Sequence, residues 1–269
     1  MSPVGKEKPW RGAGTIALLT LDTLFWSKKT IFVGLISAMI LGLSVLGRLI
    51  LTYSWIRAPF TPAQVFGTLM ATAVIHFLVV FVTLFYGTAL VSEEIEGKTI
   101  TFLFTRPIPK PVIMVGKYLA LVWIASILVL PTIFLSYLVL YLGPDVNRFL
   151  EDAGTLGKDI GIVFLAILTY GAFFSLMGAW VKHPVLVGLV YAFGWEGIVS
   201  YVPGFTRKLT ITHYIQSISP HADTAGAIAM MIGERTPPLE SVITLALLAL
   251  FFLATASLIL REKEYVLEQ

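Results

Sequence analysis

Glu93, Glu94 and Glu96 run directly into Gly97-Lys98-Thr99, a juxtaposition of acids, a glycine, a lysine and a hydroxyl that invites phosphate chemistry. A phosphate-binding loop needs glycine-rich backbone donors, and its leading glycine would fall where this chain has Ser92. The neighbouring carboxylates would repel phosphate as well, and no strand-loop-helix nucleotide domain accompanies them, so nucleotide binding by this chain is excluded. His213, His221 and Asp223 are metal-ligating residue types, but their spacing matches no ligand motif and they read as ordinary surface groups. Asp145, Glu151, Asp152 and Asp159 crowd one connecting stretch, where solubilisation is a simpler reading than a catalytic carboxylate pair. With no Cys, thiol catalysis and disulfides within the chain are excluded.

Two ionisable residues stand in apolar surroundings, where charge is costly and demands a partner, a neutral state or water. His76 reads as a neutral histidine hydrogen-bonded between helices, with substrate passage or gating as the alternative. Glu196, in Phe193-Gly194-Trp195-Glu196-Gly197, reads as a structural or gating contact on a helix whose glycines permit close approach. Pro131 lies in another apolar stretch, where it removes a helical hydrogen bond and favours a kink or flexible point.

The elements that position these residues follow from composition. The 269 residues are 57% hydrophobic and only 13% charged, against roughly 25% charged in an average soluble domain, and the mean hydropathy is +0.86. Crossing a hydrocarbon layer of about 30 Å takes roughly 20 helical residues. Six stretches qualify: Thr30 to Ile50, Phe66 to Val91, Tyr118 to Leu142, Ile160 to Val181, Val185 to Val202 and Leu239 to Leu260. The fourth and fifth are divided only by Lys182-His183-Pro184, which predicts a tight helical hairpin with proline at a first helical position. Continuous apolar blocks without alternation argue against a barrel. The fold class is therefore an all-α integral membrane protein with six transmembrane helices.

Residues 1–29 form a tail and a short helix expected to lie along the interface as an elbow, with Leu18, Leu21 and Phe25 on one face and Thr20, Thr23 and Ser27 on another. Trp10 and Trp26 would sit near headgroups. No cleavage pattern follows a short apolar core, so the first span reads as retained. Residues 30–260 form the membrane domain and 261–269 the C-terminal tail. Twelve of the 19 Lys and Arg fall on one side of the six spans, Lys6, Lys8, Arg11, Lys28, Lys29, Lys98, Arg106, Lys110, Lys117, Lys182, Arg261 and Lys263. The positive-inside rule then puts both termini in the cytoplasm. The basic balance comes with no aromatic-interleaved patch, so nucleic acid is not an expected partner.

That orientation places 93–117 inside, as a charged, proline-punctuated island. Thr99 to Phe104 is mostly apolar and is stopped by Arg106-Pro107-Ile108-Pro109-Lys110-Pro111, whose prolines lack backbone donors and restrict the residues before them. Phe102 and Phe104 are left as knobs for a membrane surface or a protein groove. The external stretch 203–238 is expected to carry a re-entrant or surface-lying helix.

The sequence resembles the permease subunits of ABC-2 type ABC transporters, in the six-span form made separately from its ATPase. The resemblance lies in Glu93-Glu94-Ile95-Glu96-Gly97-Lys98-Thr99, then Arg106-Pro107-Ile108, then Val115-Gly116-Lys117, and its order of features covers nearly the whole chain. It implies a coupling helix between spans two and three, with Glu93, Glu94, Glu96, Gly97, Thr99, Phe102, Phe104, Arg106 and Pro107 as ATPase-coupling residues. His76, Pro131 and Glu196 would be gating or packing residues. It further implies two ATP-binding subunits, a second copy or a related permease, membrane lipids and accessory proteins as partners, in a prokaryotic plasma membrane. No catalytic, metal or cofactor site is expected in this chain, ATP and magnesium belonging to the ATPase subunits. Export is the expected direction. Pro109-Lys110-Pro111 departs from the small polar or basic pair common in the family. An ion-driven secondary transporter and a nontransporting scaffold are the alternative readings.

Overall fold

Lys28 and Lys29 open a mostly apolar run to Thr52, interrupted by one charged residue, Arg48, and that run is one helix. In the computed structural model, which describes residues 9–52, 61–96, 109–141, 146–200, 202, 204–221 and 235–262, every regular element is helical. Helix α1 covers Pro9–Phe25 and α2 Lys28–Thr52. Helix α3 starts at Pro62–Leu69, passes through a π-helical stretch at Met70–Val79 and continues as Val80–Glu96. Helix α4 is Lys110–Tyr141 and α5 Val146–Trp180. Helix α6 begins at Pro184–Val190 and becomes π-helical over Tyr191–Val199. A 3-10 turn at Phe205–Leu209 leads to α7, Ile211–Ile218, and α8 is Pro238–Glu262.

Five helices, α2 to α5 and α8, are long and apolar enough to cross a membrane. The fifth of the six expected spans is the shorter helix Pro184–Val199, whose rise at 1.5 Å per residue is about 24 Å. It does begin where the sequence puts it, with α5 ending at Trp180 and Pro184 in the first turn of α6. Three spans reach beyond their expected starts. A capping box in which Thr61 Oγ1 accepts from Gln64 N and Gln64 Oε1 accepts from Thr61 N starts α3 at Pro62. Helix α4 takes in Pro111 because a proline in a first turn loses no intrahelical bond. Helix α5 takes in Glu151, Asp152 and Asp159 of the acidic stretch expected to be a wet connection, and Asp145 lies outside the described residues.

Helix α5 is the centre of the bundle, packing on α3, α4, α6, α7 and α8. Its most apolar stretch is 67% buried, against 22% for α2 and 11% for α8, which are peripheral. Small residues let α3 and α5 touch: a Cβ on Gly178 would lie 2.5 Å from the Thr88 carbonyl oxygen, and one on Gly87 2.9 Å from Phe174 Cβ. Such close approach gives helices in lipid the dispersion contacts that replace a hydrophobic driving force. Gly188 of α6 lies against Leu84 in the same way, whereas Gly194 and Gly197, expected to serve close approach, meet no neighbouring helix. Helix α1 packs on α4 through Ala17 and Leu24 with Leu21 partly buried, while Leu18 and Phe25 are exposed. The buried face is thus turned from the one that the leucine and threonine spacing suggested.

Candidate functional site

The two ionisable residues singled out by the sequence sit on the two π-helical segments, His76 on Met70–Val79 and Glu196 on Tyr191–Val199. These wide turns face each other, with Phe77 and Phe81 of α3 against Phe193 of α6. Isolated π turns recur at functional sites because they redirect side chains that an α-helix would aim elsewhere.

Glu196 is buried and binds the N-terminus of α7. Its Oε1 accepts from Ile211 N at 2.9 Å and from the Tyr191 hydroxyl at 2.7 Å, and its Oε2 accepts from Thr212 N at 3.0 Å. First-turn amides have no partner within their own helix, and the positive end of the helix dipole favours a carboxylate there. Thr210 caps the same turn from inside, its Oγ1 accepting from His213 N. Tyr170 of α5 hydrogen-bonds Thr212 Oγ1 at 2.9 Å.

His76 reaches α7 one turn further on. Its Nδ1 contacts the Ala71 carbonyl, so Nδ1 carries the proton and Nε2 accepts from Gln216 Nε2 at 3.3 Å. Gln216 Oε1 in turn accepts from Arg207 Nη2 at 3.0 Å. The result is a one-way chain of donors from the buried Arg207 through Gln216 and His76 to the α3 backbone.

The histidines that read as surface groups are both buried. His221 Nε2 lies 2.8 Å from Asp159 Oδ2 of α5, and its ring packs edge-on to Phe66. A Cβ on Gly67 would come within 2.7 Å of His221 Nδ1, so α3 admits this ring only because position 67 is glycine. The solubilising role expected of Asp159 is therefore corrected: α5 starts early enough to carry it into the packed interior. Asp152, from the same acidic stretch, accepts from the Tyr141 hydroxyl at 2.7 Å. His213 Nε2 meets Thr236 Oγ1 at 2.9 Å, and burial, with Arg207 and Lys208 nearby, lowers its pKa to about 4.

Residues 205–221 thus form a strap that runs from one end of the bundle, beside Phe66 and Asp159, inwards to mid-helix positions, tied to α6 by Glu196, to α3 by His76 and to α5 by Tyr170 and Asp159. The sequence singled out His76 and Glu196 without linking them. It missed Arg207, Gln216 and Tyr191, although Thr210 ahead of a short amphipathic run was a readable helix start. Pro131 lies inside α4, and its ring is exposed on the bundle surface, away from the strap. Among the described residues no group of three or more potential ligands could hold a metal.

At the opposite end, Lys117 is buried on α4, and its Nζ donates to the Leu90 carbonyl of α3 at 2.6 Å. Lys110 Nζ donates to the Arg261 carbonyl at the end of α8 at 3.4 Å. Of the expected coupling residues, Glu93, Glu94 and Glu96 are on the last turn of α3, and Gly97, Thr99, Phe102, Phe104, Arg106 and Pro107 lie outside the described residues. No protein-family model matches this chain, and no curated protein matches it.

Proposed function

We propose that this chain is the membrane subunit of an ABC-2 type transporter, an exporter whose ATP hydrolysis is performed by separate subunits. The observation that carries the reading is the Lys117 tie. The island bearing Glu93-Glu94-Ile95-Glu96-Gly97-Lys98-Thr99 and Arg106-Pro107-Ile108 leaves α3 and returns on α4, and Lys117 joins these two helices at its base. A push delivered to such a loop passes into two long helices together instead of being lost in a slack connection. The five long apolar helices fit a membrane subunit, and six crossings result if Pro184–Val199 spans as well. At no more than about 24 Å it is shorter than the hydrocarbon layer of about 30 Å, so its crossing would need local thinning of the bilayer. The strap at the far end would then be the outer closure of the path, and both termini would be cytoplasmic.

The test is purification of the native complex in mild detergent, with its bound proteins identified by mass spectrometry. An ATP-binding-cassette subunit should accompany the wild-type chain. Phe102→Ala with Phe104→Ala should lower that association about tenfold, the loss of one or two interface anchors, while membrane insertion is unchanged. Equal recovery of the ATPase with the double variant would remove the island from the coupling role. Transport that persists without any ATPase and follows an ion gradient would replace this reading with a secondary transporter.

A further inference from the structure

The bundle end opposite the strap holds a cleft of about 500 Å³ between α2, α3 and the α5–α6 turn. Its polar lining comes from Lys29 at the start of α2, Thr88 and Ser92 towards the end of α3, and Lys182 and His183 in the turn, while Leu186 and Leu189 of α6 form an apolar wall. Among the described residues no acidic side chain lines it. We propose that this cleft binds the headgroup of an anionic glycerophospholipid, with the phosphate between Lys29 and Lys182 and one acyl chain along Leu186 and Leu189.

Three observations favour a lipid. The two cations stand at the ends of apolar helices, at the level where a headgroup layer begins. The exposed indoles of Trp26 and Trp180, 82% and 62% exposed, flank Lys28 and Lys182 in sequence, as in the aromatic belts that mark a membrane interface. The apolar wall continues onto exposed α6 residues, Leu186 at 64% and Val190 at 64%, so a bound chain has an apolar path out of the cleft into the surrounding tails. Lys29 is held in place by donating to the Phe85 carbonyl at 3.4 Å, which keeps its ammonium at the cleft instead of in solvent. Basic pockets between membrane helices are a recurring solution for anionic headgroups. This site is separate from the strap, and its occupancy does not depend on the transporter assignment.

The purified full-length chain, stripped of lipid, is mixed with phosphatidylglycerol or phosphatidylcholine of matched acyl chains, and bound lipid is counted by native mass spectrometry. One phosphatidylglycerol per chain should survive activation that removes phosphatidylcholine. Lys29→Gln with Lys182→Gln should lower that occupancy about thirtyfold, the scale set by removing two cations at a membrane surface. Lys29→Arg with Lys182→Arg should retain the lipid, and so should Lys208→Gln, which removes one such charge at an exposed position elsewhere. Equal retention of the two lipids, or an unchanged adduct in the double glutamine variant, would overturn the proposal. Displacement of phosphatidylglycerol by excess inorganic phosphate would assign the cleft to a free anion and overturn it too. A disulfide joining two copies of Leu186→Cys in phosphatidylglycerol vesicles would show instead that a second chain closes the cleft.

Discussion

Glu196 illustrates how a single carboxylate in an apolar helix can be explained without catalysis. Three donors converge on it, and two of them are backbone amides that α7 cannot satisfy itself. Glu196→Ala strands all three in a buried setting, and at about 1–3 kcal/mol for each abandoned group it should be among the most destabilising substitutions in the chain. Glu196→Gln keeps one acceptor oxygen and should cost less. Thermal unfolding in detergent orders the two variants, and equal melting temperatures would refute the capping role. His213 supplies a pH dependence. Its pKa of about 4 in the strap lies below the ordinary value of 6.5, so an opened strap binds a proton more readily than a closed one. Its contribution is complete above about pH 6.5 and is lost as pH falls towards 4. Protection of the 211–218 amides, taken relative to their intrinsic exchange rate at each pH, should fall across that window, and His213→Gln should flatten the response.

At the scale of elements, the sequence made the long helices legible because 18 or more apolar residues have few alternatives to a membrane span. Their limits were less visible. The Thr61-Pro62-Ala63-Gln64 box was a written start signal, but the apolar run beginning at Phe66 drew the boundary inward. Asp159 looked solvated for the same reason, since an acid next to an apolar run marks its edge only if no partner waits inside, and His221 comes from 62 positions away. The turn at Lys182-His183-Pro184 was readable because proline acts locally, whereas Arg207, Gln216 and His76 meet only through the fold. Close helix contact makes a direct prediction. Gly178→Ala puts a methyl against a backbone oxygen that cannot rotate away, which should destabilise by about 1–3 kcal/mol. Gly34→Ala, with nothing within 4 Å, should be neutral or stabilise by up to about 1 kcal/mol. A loss as large at Gly34 would show that the α3–α5 contact is not what makes Gly178 sensitive.

For the whole molecule, the decisive quantity is how many times the chain crosses the membrane. The natural absence of Cys makes it suited to single-cysteine labelling. Ser27→Cys and Thr52→Cys bracket α2 and should react from opposite faces of sealed vesicles. Phe205→Cys, at a side chain 75% exposed, should share the Thr52 face if α6 crosses. Labelling from the Ser27 face would make α6 re-entrant and leave five crossings.

The contact of Gly178 with the Thr88 carbonyl makes a fulcrum. It leaves α3 about 6 Å of arm towards Ser92 and about 18 Å towards His76, at 1.5 Å per residue. Tilting α3 about this point magnifies motion roughly threefold from one end to the other, so a displacement of about 1 Å beside Ser92 moves His76 by about 3 Å, enough to part it from Gln216.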